Sequence, residues 1–195
     1  MSAVGRQRIL SCIRAPLSAG EEPGYIYVYK ISGFKTLQPR TNCLEQTTSH
    51  RGVFYKVGRT QNLTRRLYQW SRSCPYYPLL VEFFPNPPTN TLRRSPSTSS
   101  LYSLFHKDDD PSSTPPRETR IVRCAVTHRI ERLIHLELED RFGRVDISPQ
   151  GCPCGKVHKE WFRGGNGVEG GWQEVRDVIV RWIGFARVAY GEVIV

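Results

Sequence analysis

Acid is in short supply in this chain of 195 residues: 18 Asp and Glu stand against 28 Lys and Arg, a formal net charge of +10. Such a deficit argues for a polyanionic partner, most simply nucleic acid, with an anionic surface or plain solubility as the alternatives. Long hydrophobic runs are also missing. No stretch approaches the roughly 20 apolar residues of a membrane span, so no membrane partner is expected. The opening segment, MSAVGRQRILSCIRAP, has only a short apolar patch broken by Cys12 and arginine, and it lacks the apolar core of a signal peptide. Glu21 and Glu22 follow too soon for a good transit peptide. The expected setting is intracellular, nucleus or cytoplasm, and not secreted. Cysteine is sparse as well: six residues do not make a disulfide framework, and without a secretory signal they are expected as thiols or metal ligands. There is no internal repeat.

What the chain does contain is a set of short periodic segments. Residues 1–22 read as a flexible leader, and residues 23–190 as a single domain. GYIYVYKI at 24–31 alternates and is rich in aromatic and β-branched residues, which predicts a strand with Tyr25, Tyr27 and Tyr29 on one face and Ile26 and Val28 on the other. Residues 32–52 are polar and read as a loop. Residues 53–58 predict a second strand, and 79–84 (LLVEFF) a third. Residues 85–118, dominated by Pro, Ser and Thr, read as a low-complexity disordered insert within the domain. Residues 119–127 read as extended. Two further helices are predicted at 129–142 and 172–189, the last with Val175, Val178, Ile179, Trp182, Ile183 and Ala186 as its apolar stripe. The fold class is therefore α+β.

The chain is organised around YKVGRTQNLTRRLYQW at 55–70. It reads as the end of a strand, a turn given backbone freedom by Gly58, and a helix from 62 to 72 capped by Asn62. Leu63, Leu67 and Trp70 make a narrow apolar stripe, and Arg66 lies beside it. Arg59, Arg65 and Arg66 crowd one corner next to unsatisfied backbone N–H groups, an arrangement suited to a phosphate, although a solvated basic helix face is the plainer reading.

On the helix at 129–142, Ile130, Leu133, Ile134, Leu138 and Phe142 form an apolar stripe, and Glu131 projects within it. A carboxylate aimed at a core costs several kcal/mol unless it is paired or bound to a metal. Two readings stay open: a salt bridge to Arg59 or Arg66, or a divalent-metal ligand. Cys152, Cys154 and His158 in CPCGKVH form a tight cluster that could hold a structural Zn²⁺, with Cys124, His128 or His135 as a fourth ligand; free thiols are the alternative. Trp161 and Phe162 read as core, and Glu160 with them as closing the back of the sheet.

Tyr25-Ile26-Tyr27 after Gly24, Lys56-Val57-Gly58 with Arg66 ten positions on, and Glu131 on a later helix together resemble the motifs of the GIY-YIG nuclease superfamily. KVGRT, RRL, ERLIH and EWF resemble its phage-T5-type DNA-binding branch, fungal members included. The resemblance implies a three-stranded antiparallel sheet flanked by helices, and a DNA-binding protein with metal-dependent endonuclease activity. It implies Glu131 as ligand to Mg²⁺ or Mn²⁺, Arg66 as phosphate clamp and Tyr27 as the residue that orients water. Lys56 stands where the family has its second tyrosine, either as a base with a lowered pKa or as a phosphate contact. Lys56, Arg59, Arg65 and Arg66 are the expected DNA contacts. A non-catalytic DNA-binding module and a zinc-stapled protein-interaction domain are the competing functions.

Overall fold

The chain is described by a computed structural model, over residues 1–32, 53–73, 79–85, 122–147, 158–164 and 171–194. An inner strand of its sheet is β1, Tyr25–Ser32. Ile26, Val28, Tyr27 and Tyr29 are all buried although they alternate in direction, so β1 is covered on both faces. On one side it pairs antiparallel with β2, Val53–Thr60, in a register that sets Tyr27 opposite Gly58 and Tyr29 opposite Lys56. On the other side it pairs with β3, Leu79–Phe84. A hairpin-like pair, β5 (Arg144–Ile147) and β6 (His158–Arg163), extends the sheet beyond β2. The order is β3-β1-β2-β6-β5, five strands where the motif resemblance implied three. The two added strands, RVDI and HKEWFR, come from segments for which the sequence predicts no strand. A separate two-stranded ribbon joins β4, Val122–Cys124, to β7, Glu192–Ile194. The α+β class is as expected from the sequence; the insert at 85–118 lies, apart from Pro85, outside the described residues.

Helices cover the two faces unequally. On the Tyr27/Tyr29 face lies α2, Leu63–Ser73, whose Trp70 ring sits 5.5 Å from that of Tyr29. On the Ile26/Val28 face lie α3, Thr127–Phe142, and α4, Gly171–Tyr190. Ile130, Leu133, Ile134 and Leu138 of α3 and Val175, Val178, Ile179 and Ala186 of α4 join Ile26, Val28, Val57 and Phe162 in one buried cluster. The carboxylate that α3 buries most deeply is not Glu131 but Glu137. It accepts from Trp182 Nε1 at 2.9 Å and pairs with Arg141 at 3.0 Å and Arg181 at 3.1 Å, which meets the cost of its burial.

The start of the chain departs from the flexible leader that its sequence suggests. Residues Ala3–Arg14 form α1, packed on α3 through Gly5, Ile9 and Cys12, which fall at positions i, i+4 and i+7 of one face. Ser2 caps α1 through Gly5 N and hydrogen-bonds the Asp140 carboxylate, while Arg8 pairs with Glu139 at 3.0 Å. At the other end the buried Arg129 guanidinium donates to the carbonyls of Ile13, Ala15 and Pro16 at 3.1, 2.8 and 2.6 Å. A cation on the last carbonyls of a helix satisfies orphan acceptors and meets the negative end of the dipole. Replacing Arg129 by alanine is expected to cost about 3 kcal/mol, the sum of charge-assisted bonds to buried acceptors. Urea denaturation measures the loss, and amide exchange should rise first across residues 3–14.

Candidate nucleic-acid interface

The site begins where one strand ends before its neighbour. β6 pairs with Phe54, Tyr55 and Lys56 of β2 and goes no further. At that point Glu160 has φ of 69°, and the pairing of β6 with β5 shifts register between Val145 and Ile147. This is a bulge, a device that re-aims side chains and ends pairing. Past it the Val57 carbonyl hydrogen-bonds His135 Nε2 of α3 at 3.0 Å. The opened edge is a notch of about 490 Å³, lined among others by Tyr27, Lys56, Arg59, Arg66, Glu131 and Glu160.

Groups from both faces of the sheet meet there. From the α2 face, Arg66 Nε donates to the Tyr27 hydroxyl at 2.9 Å, and its guanidinium lies 5.7 Å from the ring centres of both Tyr27 and Trp70. Two π-faces and a phenol hold the cation where it stands. Burial pushes the Tyr27 phenol above its ordinary range, with Arg66 working against the shift, so the hydroxyl stays protonated at neutral pH. Lys56 Nζ donates to the Lys159 carbonyl at 2.7 Å, lies 3.9 Å from the Glu160 carboxylate and 5.8 Å from the Trp70 ring centre. Burial holds its amine below the ordinary lysine range, and Glu160 only partly restores it.

From the α3 face, Glu131 accepts from Arg59 Nε at 3.0 Å. Of the two readings of that carboxylate, the ion pair is therefore present, with Arg59 as the partner. Burial nevertheless pushes the Glu131 carboxyl up, aided by the Glu160 charge and opposed by Arg59. Asn62 Oδ1 accepts from Arg65 N at 2.9 Å, the cap that the sequence predicts for α2, and it sets Arg65 at the rim.

Tyr27, Lys56, Arg59, Arg65, Arg66 and Glu131 thus share one hollow, although Tyr27 and Glu131 are 104 positions apart in the chain. Gly58 has a different role from the one its sequence context suggests. It lies within β2 and not in a turn, and a Cβ there would collide with the Tyr27 phenol, so glycine is what lets that ring cross the strand. His135 Nε2 is engaged by the Val57 carbonyl, and its ring lies 5.3 Å from that of Phe162. Cys152 and Cys154 lie outside the described residues, as does the side chain of His158. Among the described residues no three His, Cys, Asp or Glu side chains gather as a metal group. Glu160 escaped sequence reasoning: alternation along HKEWFR places it with Phe162 on the buried face, and nothing in that pattern announces the bulge.

A larger hollow of about 700 Å³ lies between α1 and α3. Its charged groups serve the fold: Glu21 caps α3 through the His128 and Arg129 amides, and Arg129 holds the end of α1.

A family model described as Meiotically up-regulated gene 113 matches residues 52–185, well over half of the chain and all of the notch except Glu22 and Tyr27. The chain belongs to the Meiotically up-regulated gene 113 family. It is similar to the Meiotically up-regulated gene 113 protein of Schizosaccharomyces pombe (strain 972 / ATCC 24843), with 25% identity over 169 residues. That match covers 86% of this chain and 39% of the relative, so the chain spans well under half of the relative's length. No solved structure matches. The family shown is therefore not the GIY-YIG superfamily that the short motifs resemble, and the roles of the notch residues rest on their geometry alone. Among the described residues no helix is long and apolar enough to cross a membrane.

Burial holds the His135 imidazole below its ordinary range, helped by the Lys56 and Arg144 charges and opposed by the Val57 carbonyl and Glu160. The unfolded chain therefore takes up this proton first as pH falls. The contribution of His135 to stability is full above about pH 6.5 and erodes below it. Urea midpoints measured from about pH 7.5 down to about pH 5 are expected to fall, and a His135→Gln variant should lose that part of the slope.

Proposed function

We propose that this domain binds nucleic acid by seating a backbone phosphate in the notch, and that it hydrolyses the phosphodiester with a divalent cation held at Glu131. The observation that carries the reading is the convergence of Arg66, Lys56 and Arg59 on the same hollow as a half-buried carboxylate. DNA is the first substrate to test.

The residues fit an Mg²⁺ or Mn²⁺ ion. Glu131 and Glu160 line the same hollow, and carboxylate oxygens are the donors that hard cations prefer. When bound, such an ion supplies polarisation of the phosphate and stabilises the leaving oxygen. The chain's own groups account for the rest. Arg66, fixed by Tyr27 and Trp70, is preorganised to meet charge that develops on the phosphate oxygens. Tyr27, a neutral phenol that already accepts from Arg66, has its own O–H to donate and can orient water. Lys56 with its lowered pKa offers a neutral amine more readily than a free lysine, so it can take the proton of the attacking water.

The second reading is a module that binds the phosphate without cutting. The Arg59–Glu131 ion pair favours it, because a carboxylate already held by a guanidinium can serve to aim that guanidinium at the phosphate. Plasmid nicking with Mg²⁺ or Mn²⁺ separates the two. Cleavage is expected to fall at least about a hundredfold in Arg66→Ala and in Glu131→Gln. It should also rise with pH, the limb set by Lys56 below the ordinary lysine range, and Lys56→Arg should keep binding while losing that rise. Binding that survives EDTA and Glu131→Gln, with no cutting at any pH, establishes the second reading instead. Absence of any nucleic-acid affinity rejects both.

A further inference from the structure

The notch accounts for the inward side of α2 and leaves its outward side unexplained. Arg65, Tyr68 and Arg72 follow one another at i, i+3 and i+7, which places them along one stripe of the helix over about 10 Å. Arg65 belongs to the rim of the notch, so the stripe begins at the site and runs away from it. Tyr68 is 58% exposed, a large aromatic surface for a helix whose Trp70 is packed against the sheet. The Arg72 guanidinium lies 4.9 Å from the centre of the Tyr68 ring. Between Leu63 and Ser73 there is no acidic residue, while Arg65, Arg66 and Arg72 are all basic.

We propose that this outward stripe is a track for an unpaired strand of nucleic acid leaving the notch, with a base stacked on Tyr68 and backbone phosphates met by Arg65 and Arg72. The inference rests on the reading of the notch as a phosphate site and adds the form of the substrate to it. Charge complementarity selects the occupant: a stripe of arginines without a single carboxylate attracts a polyanion. The aromatic ring selects its state, because a base held in a duplex has both faces stacked and has none to offer. An arginine beside the ring adds to such a platform, since the guanidinium can contact the base and the phosphate together.

Fluorescence anisotropy on the full chain tests the track, with a labelled single-stranded oligonucleotide and a duplex of the same sequence. Tyr68→Ala is expected to weaken single-strand binding about tenfold and to leave duplex binding within about twofold, whereas Tyr68→Phe should bind like the parent. Arg72→Ala should reduce the salt dependence of single-strand binding by about 0.7 in the log–log slope. Arg66→Ala reports on the notch separately. If Arg66→Ala abolishes binding and Tyr68→Ala leaves single-strand affinity unchanged, the track is overturned and the notch stands. Equal weakening of both substrates by Tyr68→Ala also overturns it, because stacking on an unpaired base cannot act on a duplex. If the parent protein binds neither substrate, the proposed function fails and the track fails with it. Both Tyr68 and Arg72 are solvent-exposed, and an unchanged thermal midpoint in each variant keeps the comparison sound.

Discussion

A β-sheet is a wall. Side chains on one face do not ordinarily meet side chains on the other, because the backbone ladder between them is continuous. In this protein the wall has an opening, and it exists because β6 pairs with β2 only as far as Lys56. Everything that makes the candidate site depends on that early stop. Through it Glu131 and Arg59, which belong to the α3 side, come to the same hollow as Tyr27, Lys56 and Arg66, which belong to the α2 side. An interrupted ladder leaves backbone groups in need of partners. The Val57 carbonyl finds one in His135, so the edge is sealed by a side chain from the helix beneath it.

The second property of the hollow is that its charges are held before any ligand arrives. Arg66 is fixed by the Tyr27 and Trp70 rings and the Tyr27 hydroxyl, Arg59 by the Glu131 carboxylate, and Lys56 by the Lys159 carbonyl. Each cation loses side-chain freedom when the chain folds and not when a phosphate binds. Preorganisation of this kind is what makes electrostatic stabilisation effective in a partly dry site. Glu22, Glu131 and Glu160 keep the cluster from being a bare patch of positive charge, which would bind any anion with little discrimination.

Much of this was legible in the chain. Local patterns gave β1, β2, β3, α2, α3 and α4 close to their observed bounds, because each has an apolar stripe at helical spacing, a short apolar run or an alternation. That a cation would face Glu131 was also legible, since Glu131 interrupts an apolar stripe; Lys56 beside it was expected only from the motif resemblance. The missed elements have physical reasons. The buried face of α1 consists of a glycine, an isoleucine and a cysteine, too small a stripe to stand out among Arg6, Arg8 and Arg14. β5 and β6 are short and polar, and they hold their place through pairing and not through composition. Glu137 shows the converse. It shares the apolar stripe of α3 with Leu133 and Leu138; Arg141 at i+4 is a local partner, but Trp182 and Arg181 come from α4, which no local pattern links to it.

Glu160 serves the notch twice, through different parts of the residue. Its carboxylate contributes charge, but its left-handed backbone directs the preceding carbonyl at the Lys56 amine. Shape and charge are therefore separable at this one position. A glycine would relieve the backbone strain, preserve the architecture and remove the negative charge, while a valine or isoleucine would undo the architecture itself. The opening therefore tolerates a change of charge at this position, provided the new residue accepts the left-handed turn.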